Sequence, residues 1–519
     1  MNSLARRTAR GRRDGVRFAS PAAACVLNHA HSAWPKAPST GTVKAASMTV
    51  RLHHRSGMFR GSAPFAMLAA ALLVLACLGL CGCGGSSSGD EASAVAGTVV
   101  TPAKMNDEDL NTILFQAREG DTITLPAGKY LFNRSLKLSV NNVTLLGAGD
   151  GSDTASSTIL SFKGAADSNG VEARFVQGVT LKRFAVEDAA GNAVFVTNST
   201  DVVIDTVRAE WTTDPAHTSR MFYGLYPVAC DNVLITNSVA VGANDAGVYV
   251  GQSKNIRVTG NEAYSNVAGV EIENSHNAVV ENNNVHDNSA GVLVFAVPGA
   301  FRFADNDGVL VRKNTVVGNN RPIPGTASGV VRGVPPGTGV MIMAAQNTEV
   351  TANTIAHQST AAVLVLSFQS TGLFFDPTQF DPYVRGAYVH GNTVSDFGSQ
   401  PAGAFADPAG LAPVVSGLFA SLAANGLPQR MAAVVWDGIV DPTTGTTGAQ
   451  GEGGEYGGNQ RVCSDTNDID IPIIPAQMSY ENIDLDLLAL LQGLSSEPIF
   501  PFPPRLACTI TLPTVTGLP

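Results

Sequence analysis

One phrase recurs in register between residues 232 and 394, and it restricts this chain more than any other feature. It reads Asn255-Ile256-Arg257-Val258-Thr259-Gly260-Asn261, then Asn277-Ala278-Val279-Val280-Glu281-Asn282-Asn283. It returns from Gly308 to Asn314, from Asn347 to Asn353 and from Gly386 to Asn392. A second phrase follows most units: Ala246-Gly247-Val248, Ala268-Gly269-Val270, Ala290-Gly291-Val292 and Thr338-Gly339-Val340. The tightest spacing is 22 residues, from Gly269 to Gly291. A fixed period of this length specifies a solenoid.

Apolar residues alternate with period two inside each phrase, so each phrase is a strand. No 3.6-residue pattern runs through the repeats, which excludes helical and leucine-rich arrays. Three short strands and three turns fill one period. The expected fold is all-β, a right-handed parallel β-helix of about nine coils rising about 4.8 Å per coil. Asparagine suits its tight turns because it tolerates left-handed backbone angles. Stacked amides are expected to form a ladder of Asn237, Asn261, Asn283, Asn314, Asn353 and Asn392.

Residues 1–57 are rich in Arg, Ala and Ser without periodicity, and are expected to be an over-extended or disordered start, with the true start at Met48 or Met58. From Met58 the text reads as an export signal, with Arg60 as basic flank and an apolar run from Ala63 to Leu80. Leu80-Cys81-Gly82-Cys83 resembles the lipobox of bacterial lipoproteins, with Cys81 where Ala or Ser is usual. That resemblance implies acylation of Cys83, residues 84–100 forming a flexible tether, and a lipid-anchored place in a bacterial cell envelope, on its periplasmic or outer-membrane face. A single membrane-spanning helix is the alternative, but a Gly/Ser stretch follows where a basic stop-transfer cluster would stand. The chain has 33 basic and 43 acidic residues, a net charge of −10, which disfavours nucleic acid as a partner.

Leu110, Ile113, Leu114 and Ala117 share one helical face, and Gly120-Asp121-Thr122-Ile123-Thr124-Leu125-Pro126-Ala127-Gly128 then turns into strand. A short helix is needed there because the first coil of a solenoid exposes an apolar core and unpaired edges. This opening, with Asn142-Val143-Thr144-Leu145, resembles that of pectate-lyase-like β-helix proteins. The β-helix itself is expected over 101–400 and a smaller, irregular cap over 401–519. Within the latter, Pro413–Ala424 reads as a helix closed by Asn425-Gly426.

Insertions fall at two corners: 211–223 and 318–336 at one, 296–305 and 368–384 at the other. The Gly-Val-x-Val strand lies between them. Its outward residues are Phe195, Tyr226, Tyr249, Glu271, Leu293, Met341 and Leu364. Loops flanking a strand face make a groove, where function concentrates. The most varied stretch is the first corner loop. Its candidate catalytic residues are Asp214, His217 and Arg220, offering an acid, a base and a cation. Trp211, Tyr223, Tyr226 and Tyr249 are candidates for stacking sugar rings, with Glu271 to hold a hydroxyl. The competing account has the loop aromatics packing the loop and Glu271 serving as an exposed charge. His286, Asp287 and His357 read as turn residues. No tight cluster announces a metal, and the metal requirement is left open.

Val434-Val435-Trp436-Asp437-Gly438-Ile439, together with Cys463 and Cys508, completes a resemblance over roughly residues 100–510. The chain resembles bacterial parallel β-helix repeat lipoproteins, which have no established activity and are often encoded beside an exported c-type cytochrome. The resemblance implies that cytochrome as a partner. No Cys-x-x-Cys-His occurs, so no covalent haem is expected, nor another cofactor. With Cys83 acylated and Cys230 a small buried residue, Cys463 and Cys508 are left to pair in an oxidising compartment. Three functions remain open: binding or processing of a polysaccharide along the groove, a scaffold docking an exported protein, and a pectate-lyase-like lyase or hydrolase. A dense acid/base cluster in the groove would favour the enzyme, and an apolar stripe through Leu293, Met341 and Leu364 the scaffold.

Overall fold

Period-two alternation becomes parallel strands stacked coil upon coil. The computed structural model describes residues 97–166, 169–212, 223–327, 329–439, 441 and 462–469, the backbone of 482–484, and scattered positions between 510 and 518. One sheet is a single column of eleven strands: β1 (Leu136–Leu138), β2 (Val171–Arg174), β3 (Val194–Thr197), β4 (Leu225–Val228), β5 (Ala246–Gly251), β6 (Ala268–Glu273), β7 (Ala290–Phe295), β8 (Thr338–Met343), β9 (Ala361–Leu366), β10 (Val434–Trp436) and β11 (Asn482–Asp484). The other carries two strands in most coils, such as Lys254–Thr259 and Glu262–Tyr264. Every pairing is parallel and joins equivalent repeat positions, as in Ala268↔Ala290 and Val270↔Val292. This is a parallel β-helix, with Val, Ile and Leu of successive coils forming its interior.

Helix α1 (Asp107–Gln116) covers the first coil. Asn106 caps it by accepting from the backbone N–H groups of Glu108 and Asp109, three acids occupy its first turn, and Leu110 and Leu114 are buried. Asn111 ties it to the first coil by donating to Ser135 O at 3.1 Å and accepting from Lys137 N at 3.0 Å.

The asparagine ladder exists, with one rung reassigned. Asn261, Asn283, Asn314, Asn353 and Asn392 are buried in register. Each side-chain oxygen accepts from the rung before, as when Asn261 N and Nδ2 donate to Asn283 Oδ1 at 2.9 and 3.0 Å. Asn237 is not a rung. It stands at φ 50° and donates outward to Asp205 Oδ1, while Ser238 N takes the ladder place against Asn261. The left-handed backbone belongs to the residue preceding each rung: Gly260, Asn282, Lys313, Ala352 and Gly391. The ladder also runs one coil further, to Asn467.

A second ladder, unseen in the sequence, links Asn266, Asn288 and Asn319, with Gln358 in the next coil. Asp287 and His357, at φ 52° and 55°, are the turn residues before its rungs. A third row runs through Ser253 and Ser275 to Asn306, and Cys230 occupies the position before Ser253. The Cys230 thiol is free and buried, and burial pushes its pKa up to about 12, which makes it inert. The repeated glycine of the second phrase permits close packing beside the ladder. A Cβ on Gly269 would lie 2.3 Å from Val285 Cγ1 and 2.9 Å from Asn288 Nδ2.

The repeat continues beyond residue 400. Helix α2 (Ala412–Ala424) is present, but it is an excursion between coils and not their terminus. After it β10 pairs with β9, Val462–Asp465 pairs with Arg385–His390, and β11 pairs with β10. The solenoid therefore has more than the nine coils expected. Asp437, at the end of β10, is fully buried and accepts from Ser367 N, Ser370 Oγ and Ile439 N, which ties the 367–384 insertion to the strand. Burial raises its pKa to about 6 against those bonds. Cys463 is buried in register with Tyr388. Cys508 lies outside the described residues, as do Cys83 and the export signal.

Candidate functional site

The outward column of the single-file sheet is continuous in register: Glu172, Phe195, Tyr226, Tyr249, Glu271, Leu293, Met341, Leu364. The expected open groove is not there. From Tyr249 onward every one of these side chains is buried. The insertions close over the strand face, with Ala327, Val331 and Val334 from one corner and Phe368 and Phe380 from the other joining the same apolar cluster. The apolar stripe of Leu293, Met341 and Leu364 is therefore packed against the chain's own loops and offers nothing to a partner. Glu271 is likewise no exposed charge, at 1 % accessibility.

The candidate aromatics come together, but as packing neighbours. Tyr223 lies 4.3 Å from Tyr226 and 4.7 Å from Tyr249, ring centre to ring centre. Tyr226 lies 4.7 Å from Tyr249 and 5.3 Å from Phe195. Tyr223 and Tyr226 are half-buried and Tyr249 is buried. Trp211 does not belong to this group. It is buried at the corner, donating Nε1–H to Ala189 O at 2.7 Å, so it packs its loop. Asp214, His217 and Arg220 lie outside the described residues.

Three acids stand beside the tyrosines. Asp245 immediately precedes β5, Glu271 lies in β6 across from Tyr249, and Glu273 follows it on the same face. Burial holds the Glu271 carboxyl well above the usual range, reinforced by the charges of Asp245 and Glu273. Asp245 is raised in the same way, opposed by the Tyr223 hydroxyl beside it. Glu273 is half-buried and titrates at about 7, raised by desolvation and lowered by the Tyr249 hydroxyl. Both oxygens of Glu271 and Oδ1 of Asp245 are buried without a hydrogen-bond partner. The three tyrosine hydroxyls are raised by burial and by the neighbouring acids. Among the described residues no group of three or more His, Cys, Asp or Glu is placed to hold a metal ion.

Such a group of carboxyls, with one titrating near neutrality beside others kept protonated, is suited to moving protons at neutral pH. Sequence reasoning found Glu271 and missed Glu273 and Asp245. Glu273 had a signal, since two residues on from Glu271 is the same strand face.

Residues 169–355 match the family described as the right handed beta helix region. This chain carries a right-handed β-helix. Solved structures of similar fold include the A-module of the Azotobacter vinelandii mannuronan C-5 epimerase, at 16 % identity and a TM-score of 0.37, covering 70 % of this chain and 90 % of that one. The DFA-IIIase of Arthrobacter chlorophenolicus A6 without its lid has 14 % identity and a TM-score of 0.38, covering 72 % and 97 %. An exopolygalacturonase of Thermotoga maritima has 11 % identity and a TM-score of 0.36, covering 57 % and 81 %. Likeness at this level extends to the coil and not to the site. Among curated proteins none matches this sequence. In this β-helix the acid and tyrosine cluster lies where the insertions begin to cover the single-file sheet, with Tyr223, Tyr226 and Glu273 as its half-buried members.

Proposed function

We propose that this β-helix acts on a polysaccharide by acid/base chemistry on the outer face of β4–β6. The observation that supports it most is the trio Asp245, Glu271 and Glu273, packed among three tyrosines with buried oxygens left unpartnered. A chain under selection for stability alone would place apolar residues there, as it does one coil on with Leu293. In this reading Glu273 takes or gives the proton. Desolvation under the covering face keeps its pKa near neutral, and Tyr226 offers a face for a sugar ring.

The test is turnover of a polysaccharide panel by purified protein, read by reducing ends, unsaturated products and solvent-proton exchange. Glu273→Gln should lower turnover by about a hundredfold or more, and the wild-type rate should show an inflection near pH 7. A rate unchanged in Glu273→Gln would remove the site from consideration. No observation favours the scaffold that docks an exported cytochrome, because its apolar stripe is covered.

A lipid anchor at Cys83 belongs to the same proposal and would hold the protein at the cell envelope. It is supported by the Leu80-Cys81-Gly82-Cys83 pattern. Cys83→Ser should abolish incorporation of labelled palmitate, and unchanged labelling would exclude that site.

A further inference from the structure

Single exposed apolar side chains are normal and need no account, but those of this chain are gathered. Seven large ones are exposed among the described residues, and four of them, Phe175, Phe301, Leu373 and Phe374, stand on the corner where the single-file sheet ends. Phe175 follows β2 directly. The 296–305 insertion follows β7 and carries Phe301. The 368–384 insertion follows β9 and carries Leu373 and Phe374.

Each phenylalanine is presented by built structure. Phe175 is held at φ 54° and is 74 % exposed. Asn198, Ala229, Gln252, Asn274 and Ala344 fill the same left-handed turn in other coils. A bulky Phe at that place costs both backbone strain and exposed apolar surface. Phe301 is 73 % exposed on a loop pinned on either side of it. Val297 N donates to Asn274 Oδ1 at 2.9 Å, and Arg302 N and Phe303 N donate to Gln252 Oε1. Phe374 is 91 % exposed at a tip turned by Gly372 at φ 66°, while its neighbour Phe375 packs inward on Phe368 and Phe380.

The tips 297–301 and 371–375 contain no charged residue. The charges beside them are engaged elsewhere. Arg302 donates to both oxygens of Asp231, Asp305 is paired with His276 at 2.8 Å, and Asp376 accepts from Thr378 N and Oγ1 in its own turn. The tips also stand apart. At about 4.8 Å per coil, Phe175 lies about 10–15 Å along the axis from the coils that hold Arg302, and these lie about 20 Å from the coil of Ser367. A folded partner would need a matching recess for each knob. A fluid bilayer receives each one separately, and an uncharged tip enters it without stripping water from a charge.

We propose that this corner is a membrane-contact edge, with Phe175, Phe301 and Phe374 entering the headgroup region of a lipid bilayer. The edge acts independently of acylation at Cys83 and would lay the solenoid along the surface to which that anchor ties it.

Residues 94–519 form a compact unit by themselves, so the test uses that segment, without the apolar run from Ala63 to Leu80 and without Cys83. Flotation with vesicles of phosphatidylethanolamine and phosphatidylglycerol is measured for the wild type, Phe175→Asn, Phe301→Ser, Phe374→Ser and the triple variant. The wild type should float. Each single change should weaken partitioning by about tenfold, and the triple variant should stay in the soluble fraction. Phe301→Leu should bind nearly as the wild type does, which separates lost apolar surface from a damaged loop. In Phe374→Trp, brominated lipid should quench the new indole and leave the buried Trp211 and Trp436 untouched. A wild type that does not float, a triple variant that floats equally, or an unquenched indole in Phe374→Trp would overturn the proposal. Dimers that form without lipid and vanish in the triple variant, with no flotation, would assign the edge to a second copy instead.

Discussion

Asn283 and Glu271 lie within one coil of each other, at 2 % and 1 % accessibility. Their polar atoms are treated in opposite ways. Asn283 accepts from Asn261 N and Nδ2 and donates to Asn314 Oδ1 and Val258 O, all within 3.0 Å. Glu271 makes no hydrogen bond with either oxygen. A buried polar group that is satisfied stabilises modestly, while one left without a partner costs about 1–3 kcal/mol. The ladder is thus where the coils are held together, and the acid cluster is where stability is given up. Carboxyls buried at such cost, with strongly raised pKa values, collect at functional sites.

Removing a rung should produce the largest effect. Asn283→Leu leaves Asn261 N and one of the two Nδ2 hydrogens without a partner and takes a donor from Val258 O and Asn314 Oδ1, and should cost about 3 kcal/mol or more in urea titration. A loss under about 1 kcal/mol would mean that the ladder does not carry the coils.

The reverse change at the cluster should stabilise. Glu271→Leu repeats the residue found one coil on at Leu293 and should gain about 1–3 kcal/mol at pH 8. The sign follows from the pKa. Because the folded carboxyl is raised above its ordinary 4.5, its contribution is intact below that value and is lost as pH rises through the folded pKa. For Glu273 that loss runs from its ordinary 4.5 up to about 7. The gain from Glu271→Leu should therefore shrink toward pH 5, and a gain equal at both pH values would contradict the raised carboxyl. Asp205 and Glu172 are lowered overall and act oppositely, since hydrogen bonds and ion pairs outweigh a desolvation that raises them. Their stabilisation is lost as pH falls through their folded values.

Smaller effects sharpen the contrast. Asn237→Ala, off the ladder but in left-handed backbone, should cost about 1 kcal/mol, chiefly in conformation. A cost matching Asn283→Leu would restore it as a rung. Cys230→Ser should stay within about 1 kcal/mol of wild type in the same titration, since serine fills the equivalent position at Ser253 and Ser275. A larger loss would show that the apolar thiol matters more than the row it joins.

The coil, its strands and five of six ladder rungs were legible because a solenoid writes one local rule many times. Period two sets the strand face, and a repeated Asn sets the turn. Asn237 was misassigned because two adjacent asparagine-tolerant positions, the left-handed residue and the rung, look alike in one coil. The second ladder was hidden because only Asn266 and Asn288 stand just before the Gly-Val phrase; an insertion parts Asn319 from Gly339-Val340, and Gln358 takes the place in the next coil. The coils after 400 escaped notice because helix α2 and long excursions separate strands of only two to four residues.

The sequence by itself determined that this chain stacks into a β-helix, because nearest-neighbour stacking needs only what each repeat contains. Whether the strand face is open or covered was decided by tertiary structure alone. A period-two pattern says that Glu271 and Leu293 point outward from the sheet, but not that loops from two corners fold back over them. That covering takes water from the Glu271 carboxyl, and the loss of water changes an ordinary surface acid into one that holds its proton.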